Sequence, residues 1–510
     1  MNRDNKKIIK AILFSAVAAV LSYGINFFLT RYVTSHIGID AYGFVSLAKT
    51  AVSYADIITI ALTSFIVRFI TISYHEKNYK EANAYFSSAI ASTCALSAGI
   101  FLIAIIVICF LEHVLIIPAD LLFGVKVLFA VIFLNYIVTT ITTPFTVSAY
   151  IKNRLDMVSI WRIISYILDA VVLLCLFSFF KANVWYVGIG SLAASGTVLL
   201  SNIWLNKKLT PELRFNRRQV SLTKTKTLIK HGIWNSFNSL GNTLNSGLDL
   251  MISNLMLSGI QTGQIAVAKT VQTMFITINH VAFQPFQPKL LEAYADGDMK
   301  AYVTKTREVM KVGGLISGVA FAGFFSLGTL YMRLWLPEQD AGVLYWLTIV
   351  TVFLEMTAGI VHPIQYVNTV TLTNKLPCWI TIAGGILNTF SMYLLLTHTS
   401  IGVYAVVGTT TVIMLAINLL FNPIYSAYCL KVSPWEFYKV IFPHLIAVGV
   451  MTGVLWLIGK WLAPTSWITL ILTAIPMALV GTCIYGSIML NRDEKRKMWH
   501  KLIDKLRIKQ

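Results

Sequence analysis

Long apolar runs separated by short polar stretches organise this chain from residue 8 to residue 490. Each run is at least 18 residues long, and about 20 apolar residues in a helix cross the hydrocarbon core of a bilayer. The pattern predicts an all-α polytopic membrane protein with about 14 transmembrane helices. The predicted spans are 8–30, 41–66, 83–110, 120–145, 155–180, 183–205, 227–257, 264–286, 303–329, 341–367, 374–398, 402–428, 435–460 and 467–490.

Composition supports a lipid environment for these runs. Hydrophobic residues make up 56% of the 510 positions and charged residues only 12%, whereas about 25% charged residues is typical of soluble domains. The first apolar stretch continues to about residue 30 without a small-residue cleavage site, so we interpret it as the first helix and not as a removable signal.

The basic residues are distributed unevenly between the two sides of the membrane. With the N-terminus inside, the cytoplasmic segments together with the cytoplasmic ends of the adjoining spans hold 34 of the 41 Lys and Arg residues, and the outer loops together with the outer ends of the spans hold five. This asymmetry follows the positive-inside rule and predicts that both termini are cytoplasmic. The net charge of +19 is therefore explained by topology, and no nucleic-acid partner is expected.

Motifs for catalysis or for metal binding do not occur in the sequence. The six cysteines show no CxxC spacing, and HExxH, P-loop and GxSxG patterns are missing. We therefore expect no cofactor, no metal site and no catalytic residue.

An internal repeat divides most of the chain into two similar halves. Residues 43–50 match residues 263–270 at an offset of 220, and other identities fall at the same offset. Because each copy holds an even number of helices, we predict two parallel six-helix repeats, related by an axis along the membrane normal and placed around a central cavity. The predicted organisation is an N-terminal six-helix lobe at 1–205, a basic cytoplasmic connector at 206–226, a C-terminal six-helix lobe at 227–430, helices 13 and 14 at 431–490, and a basic amphipathic cytoplasmic tail at 491–510.

Three segments near the N-terminus carry a family resemblance. The runs at 37–48 (IGIDAYGFVSLA), 67–69 (VRF) and 78–83 (NYKEAN) are similar to the opening of bacterial polysaccharide-repeat-unit (O-antigen or capsule, Wzx-type) flippases. Those proteins belong to the multidrug/oligosaccharidyl-lipid/polysaccharide exporter superfamily. The resemblance covers the whole chain in helix count and is motif-level over about residues 20–90; in the second half, Gln264 stands where an aromatic residue is usual.

That resemblance implies a location, a substrate and partners. It implies a multi-pass protein of the bacterial inner membrane that flips undecaprenyl-diphosphate-linked oligosaccharides to the outer leaflet for O-antigen (lipopolysaccharide), capsule or exopolysaccharide synthesis. The expected partners are the lipid-linked oligosaccharide, membrane lipid and the polysaccharide polymerase machinery.

An asparagine stripe marks the seventh predicted span. Asn235, Asn238, Asn242 and Asn245 are followed by Asp249 at spacings of 3, 4, 3 and 4, which puts all five on one helical face. Amides both donate to and accept from sugar hydroxyls, so we predict that the asparagines line a wet substrate cavity. Hydrogen-bonding between helices is the alternative.

Two lysines lie inside predicted spans at equivalent positions of the repeat. Lys49 is in the second span and Lys269 is in the eighth. Two ammonium groups suit a diphosphate, and Arg31 at the outer end of the first span could pass the anion along. The alternative is that both lysines extend to the outer interface.

Four further ionisable residues inside the spans are candidate ion-coupling groups. Ionisable side chains in a bilayer are costly and usually face a bundle interior or a cavity. Glu355 and His362 are seven residues apart and share a helical face, as do Arg162 and Asp169, for which a static ion pair is equally favoured. The predicted coupling set, for a proton or sodium ion, is Asp56, Asp249, Glu355 and His362.

Two other functions compete with the flippase hypothesis. A cation-coupled multidrug exporter of the same superfamily is the main alternative, although helices 13 and 14 and the two lysines favour the flippase. A membrane glycosyltransferase, polymerase or ligase would need a sizeable outer loop. The longest predicted outer connections, at 111–119 and 330–340, have about ten residues, so we do not expect an enzyme.

The topology generates the first testable prediction. In a cysteine-free background, a cysteine at residue 510 should stay unlabelled by a membrane-impermeant reagent added to intact cells, and a cysteine at residue 181, in an outer loop, should be labelled. Labelling of residue 510 from outside would contradict the orientation of both repeats.

Overall fold

The computed structural model describes residues 21 and 24–490, apart from residues 153, 284–285, 288–289, 291–292, 295–296 and 372. Regular structure in these residues is helical. We number the long helices α1 (24–37), α2 (Ile39–His75, interrupted at 64–65), α3 (Tyr79–Cys109), α4 (Leu122–Ile151), α5 (Leu155–Phe179), α6 (Tyr186–Leu209), α7 (Leu222–Ser246, continued by Leu248–Met256), α8 (Gly259–Phe283), α9 (Met299–Trp335), α10 (Ala341–Val370), α11 (Lys375–His398), α12 (Val403–Leu430), α13 (Trp435–Leu462) and α14 (Trp467–Met489).

Eleven helices in the described ranges are long and apolar enough to cross a membrane. This finding confirms an all-α, polytopic membrane protein. The remaining three are α1, α7 and α8, and most of the first predicted span (8–30) lies outside the described residues. The predicted tail at 491–510 also lies outside them.

Helix boundaries recur at the offset found in the sequence. The helices α2 and α8 begin at Ile39 and Gly259, and α3 and α9 begin at Tyr79 and Met299, so the members of each pair start 220 residues apart. Helices α5 and α11 follow the same rule. The repeat is therefore a repeat of helix starts as well as of residue identities.

The N-cap at the start of α3 is repeated at the start of α9. Asn78 and Asp298 are equivalent N-cap residues, and their side chains accept hydrogen bonds from the main-chain N–H groups of Glu81 and Ala301 respectively. The preceding residues are Lys77 and Gly297, with φ of 59° and 77°. A tight left-handed turn followed by a polar cap thus begins both helices.

The described residues form two compact units. The first contains residues up to Ala266 together with Thr381–Tyr393, and the second contains Val267–Ile380 and residues from Leu394 onward. These limits run through α8 and α11. The domain limits at 205, 226 and 430 stay predictions from the sequence repeat.

Small residues allow α2 and α7 to pack closely in the first unit. A Cβ added at Gly232 would collide with the main-chain oxygen of Ala61, and the phenol of Tyr54 donates to the main-chain oxygen of Gly247 at 3.2 Å. Close approach through small residues is the usual way in which helices associate in lipid.

In the second unit, α10 is the most enclosed of the eleven membrane-spanning helices. It crosses α9 where Gly313 and Gly359 face each other, since a Cβ on either glycine would collide with the main-chain oxygen of the other. Ser317 adds a hydrogen bond to the main-chain oxygen of Met356 at 2.9 Å.

The C-terminal helices join this crossing through a buried polar contact. His444 on α13 lies 2.9 Å from the hydroxyl of Tyr485 on α14. Its other ring nitrogen is 3.3 Å from the main-chain oxygen of Met356 on α10. Helices α13 and α14 are therefore an integral part of the second unit.

The glycine crossing predicts a position-specific effect on stability. Gly313→Ala should lower the apparent melting temperature of the purified protein by several degrees, because overpacking a tight contact costs about 1–3 kcal/mol. Gly323→Ala in the same helix is the matched control. It has open space around its Cβ position and should be neutral or slightly stabilising. Equal melting temperatures for the two variants would contradict the packing described for α9 and α10.

Candidate functional site

The asparagine stripe of α7 has two environments. Asn235, Asn238 and Asn242 have exposed side chains, whereas Asn245 is buried and 1% exposed. Asp249, on the short helix that continues α7, is buried as well. The side chains that can meet a ligand without rearrangement are therefore the first three.

Asn245 forms hydrogen bonds between helices of the first unit. Its amide nitrogen donates to the main-chain oxygens of Gly241 at 2.8 Å and of Thr381 at 2.7 Å. The amide of Asn388 in turn donates to the main-chain oxygen of Asn245 at 2.9 Å. These contacts match the interhelical alternative at this one position, and substrate contact by Asn245 stays a prediction that needs α11 to move.

Lys49 lies on the apolar helix α2, ten residues after its start, and its side chain is exposed. Asp169 on α5 is close enough to interact electrostatically with it. This carboxylate packs against Gly190 of α6, where a Cβ would leave no room for it. The first unit therefore supplies Lys49 with a counter-charge from another helix.

The expected Arg162–Asp169 pair does not form in the described part of the chain. Arg162 is exposed, and the cation that acts on Asp169 is Lys49. Residues seven apart on a helix are about 10.5 Å apart along its axis, which is too far for a direct contact. The static ion pair, one of the two alternatives that the spacing left open for these residues, is therefore wrong, and Lys49 acts electrostatically on Asp169 instead.

Asp56 is held by two hydroxyl groups. The phenol of Tyr136 on α4 donates to the Asp56 carboxylate at 2.9 Å, and the hydroxyl of Thr59 donates to the same oxygen at 3.2 Å. The two hydroxyl groups are themselves 2.5 Å apart. Tyr136 was not among the residues predicted from the sequence, although a tyrosine in the centre of an apolar span is a visible polar signal.

Glu355 forms the clearest polar cluster of the second unit. Its side chain is 5% exposed and accepts a hydrogen bond from the Gln272 amide of α8 at 3.2 Å. Asn279, two turns further along α8, donates to the main-chain oxygen of Glu355 at 3.0 Å. Neither amide was among the residues predicted from the sequence, yet their spacing of seven residues equals that of Glu355 and His362.

His362 contacts the same helix two turns from Glu355. Its ring centroid lies 4.9 Å from that of His280 and 6.2 Å from that of Phe283. Glu355 and His362 therefore both face α8, which is the shared face that their spacing predicted. Lys269 is half-buried on α8, one turn before Gln272.

The remaining candidate residues have simpler surroundings. Arg31 has an exposed side chain on α1. Asp249 is close enough to the phenol of Tyr54 to interact with it electrostatically. Their roles in anion transfer and in ion coupling stay predictions.

Comparison with known proteins identifies the fold. No family model matches the chain. A membrane protein of Bacillus subtilis (strain 168), EpsK, described as uncharacterized, is 24% identical over 487 residues, which span 95% of this chain and 96% of that protein.

Two solved structures are similar over most of their length. An inward-facing multidrug resistance transporter of the MATE family, MOP superfamily, has a TM-score of 0.63 and 12% identity, and the match covers 81% of this chain and 96% of that one. The lipid II flippase MurJ in an inward closed conformation has a TM-score of 0.63 and 14% identity, covering 93% and 99%. At these identities the similarity shows a shared fold: this multi-span membrane protein has the same helical architecture as those two structures.

The two environments of the asparagine stripe give a testable contrast. Single cysteines at 235, 238 and 242, in a background without the six native cysteines, should react with a small water-soluble maleimide. A cysteine at 245 should be protected because that side chain is enclosed by α11. Equal protection at all four positions would mean that the stripe has no access to water.

Proposed function

We propose that this protein flips an anionic, lipid-linked oligosaccharide across a bacterial inner membrane by alternating access. The observation that carries the proposal is the presence of Lys49 and Lys269 inside helices α2 and α8, at equivalent positions of the repeat. A charge within the bilayer is costly and is retained where it serves transport.

The chemistry of a lipid diphosphate fits these two lysines. A diphosphate carries at least two negative charges and only oxygen acceptors, so it is best held by cationic donors. Lys49 is exposed and has Asp169 as its nearby counter-charge. An arriving diphosphate would compete with Asp169 for the ammonium group, and this competition would allow binding and release to alternate.

The exposed amides of α7 supply a second part of the proposed site. Asn235, Asn238 and Asn242 present donors and acceptors along about 10.5 Å of helix, a length that suits a short oligosaccharide. Polar groups of this kind bind sugar hydroxyls without requiring a particular charge, so the sugar portion can be held by amides while the diphosphate is held by lysines.

A coupling ion would act at the acidic cluster of the second unit. Glu355 is buried with amide partners and without a cation among the described residues that contact it. Binding of a proton or a sodium ion would neutralise this carboxylate. Because α10 is tightly packed against α9, a change of charge at Glu355 would be transmitted to the helix crossing.

The multidrug exporter remains the competing function. The similarity in fold to a MATE-family transporter favours it, and that match covers 81% of this chain. The match to the lipid II flippase covers 93% of this chain. A match of that length is long enough to include the two C-terminal helices. Together with the two lysines, this coverage favours the flippase.

Replacement of the lysines tests the proposal directly. Lys49→Ala and Lys269→Ala should each strongly reduce surface polymer at unchanged protein abundance, since each removes one of the cationic donors proposed to hold the diphosphate. Arginine at either position should partly restore export because the charge is retained, and glutamine should not. The double alanine variant should be non-additive, because both residues would serve one anion.

Two variants complete this experiment. Lys460→Ala is the matched control, since Lys460 is exposed at the end of α13 and lies over the Trp456 ring; it should export normally. Asp169→Asn keeps Lys49, the residue proposed to bind the substrate, and removes only its counter-charge. Near-normal export from both single lysine variants would eliminate the diphosphate site and favour the multidrug exporter.

A further inference from the structure

The turn between α7 and α8 is fastened to the first half of the chain. Residues 248–266 comprise the short helix that continues α7 and the first two turns of α8, and we call them the outer hairpin. The predicted topology places this turn on the outer side of the membrane, together with the connection at 111–119 between α3 and α4. All of these residues belong to the first compact unit.

Asn254 of the outer hairpin binds the main chain of the α3–α4 connection twice. Its amide nitrogen donates to the main-chain oxygen of Ile116 at 3.2 Å, and its amide oxygen accepts from the main-chain N–H of the same residue at 3.0 Å. The Asn254 side chain is 2% exposed. Because an amide offers a donor and an acceptor side by side, one side chain satisfies both main-chain groups of Ile116.

The connection that Asn254 binds is itself fixed to the first six helices. The side chains of Leu111 and Leu115 are buried, and Glu112 forms an ion pair with Lys126 of α4 at 2.5 Å. Ile116 is therefore a firm attachment point for the outer hairpin. Its own side chain is exposed, so its main-chain groups can regain hydrogen bonds to water when Asn254 leaves, and the contact can break at modest cost.

Two repeat-equivalent glycines form the second contact of the outer hairpin. Gly43 of α2 and Gly263 of α8 are 220 residues apart. A Cβ on Gly263 would collide with the main-chain oxygen of Ile39, and a Cβ on Gly43 would lie 3.1 Å from the main-chain nitrogen of Gly263. Equivalent residues of a two-fold repeat meet only near the symmetry axis. In the predicted architecture that axis runs through the central cavity, so the crossing would lie across the outer mouth of the cavity.

A helix break at Gly247 separates the outer hairpin from the rest of α7. A Cβ at this position would lie 2.7 Å from the main-chain oxygen of Thr243, so only glycine fits the local backbone without a shift. Tyr54 of α2 donates to the main-chain oxygen of Gly247 at 3.2 Å. Beyond the break, the buried hydroxyls of Ser253 and Thr262 are 3.3 Å apart. These hydroxyls join the two arms of the hairpin into one body.

We propose that the outer hairpin is the outer gate of this transporter, with Asn254 as its latch, Gly247 as its hinge and the Gly43–Gly263 crossing as its closed seat. The glycine crossing holds no bulky side chain, so the two main chains can separate without withdrawing one from a packed pocket. Opening also leaves no buried charge behind. This inference rests on alternating access in the proposed function, and it is independent of which substrate is carried.

Labelling from outside measures the gate without reference to a substrate. Ser46 lies three residues after Gly43 on α2, on the same helical face and on the inner side of the crossing. In a cysteine-free background, Ser46→Cys should react slowly with an impermeant thiol reagent added to intact cells. Adding Asn254→Ala should accelerate the reaction about tenfold, because two hydrogen bonds that hold the gate closed are lost. Asn254→Asp keeps the shape of the side chain but replaces the donor, so it should accelerate the reaction as well.

Two substitutions on α8 supply the matched pair. Gly263→Ala places a methyl group against the main-chain oxygen of Ile39 and should hold the gate partly open, so Ser46→Cys should be labelled faster. Gly259→Ala, one turn earlier, places its methyl group 3.6 Å from the Cβ of Asp40. That distance is ordinary contact, so labelling should be unchanged. Equal elution profiles of the purified variants would exclude misfolding as the cause of faster labelling.

A disulfide across the same contact should lock the gate. The Cβ positions of residues 40 and 259 are 3.6 Å apart, within the range of about 3.5–4.5 Å found in disulfides. The double variant Asp40→Cys and Gly259→Cys should therefore cross-link on mild oxidation, lose export of surface polymer, and regain export after reduction. Each single cysteine variant should export normally under the same oxidation.

Two results would overturn the gate. Equal labelling rates of Ser46→Cys with and without Asn254→Ala or Gly263→Ala would show that the hairpin is static. Unchanged export with the 40–259 cross-link fully formed would show that transport does not require this contact to open. The labelling rates do not depend on the substrate, whereas the proposed function is tested through Lys49 and Lys269, so the failure of one is distinguishable from the failure of the other.

Discussion

The cost of placing polar groups in hydrocarbon is the constraint on which this structure depends. A buried polar group without a partner costs several kcal/mol in a bilayer, so each acid inside a helix must be satisfied from a neighbouring helix. Asp56 is satisfied by Tyr136 on α4, and Glu355 is satisfied by Gln272 on α8. These contacts join helices that are far apart in sequence, and the apolar helices pack around them.

Close helix packing through glycine is the second requirement, because it brings these polar groups within reach. The Gly313–Gly359 crossing of α9 and α10 and the Gly232–Ala61 contact of α7 and α2 bring main chains together. His444 extends the α9–α10 crossing to α13 and α14 through the main-chain oxygen of Met356.

In the proposed cycle, a change of charge at Glu355, the residue next to Met356, would act on this crossing.

Most of the fold was predictable because apolar length and charge asymmetry are properties of single segments. The 220-residue offset seen in residue identities recurs in helix starts such as Ile39 and Gly259, and the spacing of Glu355 and His362 predicted their common face. Partners on other helices were not predictable in this way. Spacing offered Arg162 as a partner of Asp169 in one of two alternatives, but the fold brings Lys49 near it instead. Asn245 shares the periodicity of Asn242, and only the position of α11 distinguishes the buried amide from the exposed one.

Transport by the purified protein tests the central claim most directly. The full-length chain would be reconstituted into liposomes that contain a polyprenyl-diphosphate-linked oligosaccharide with a fluorophore on its sugar, and an impermeant reductant would quench the fluorophores in the outer leaflet. The account predicts that wild-type protein makes nearly all the fluorescence accessible and that a variant with both Lys49→Ala and Lys269→Ala leaves about half protected, as expected when lipids stay in their leaflets. Protection of about half the signal by wild-type protein under every ion gradient tested, together with export of an organic cation from the same liposomes, would contradict it.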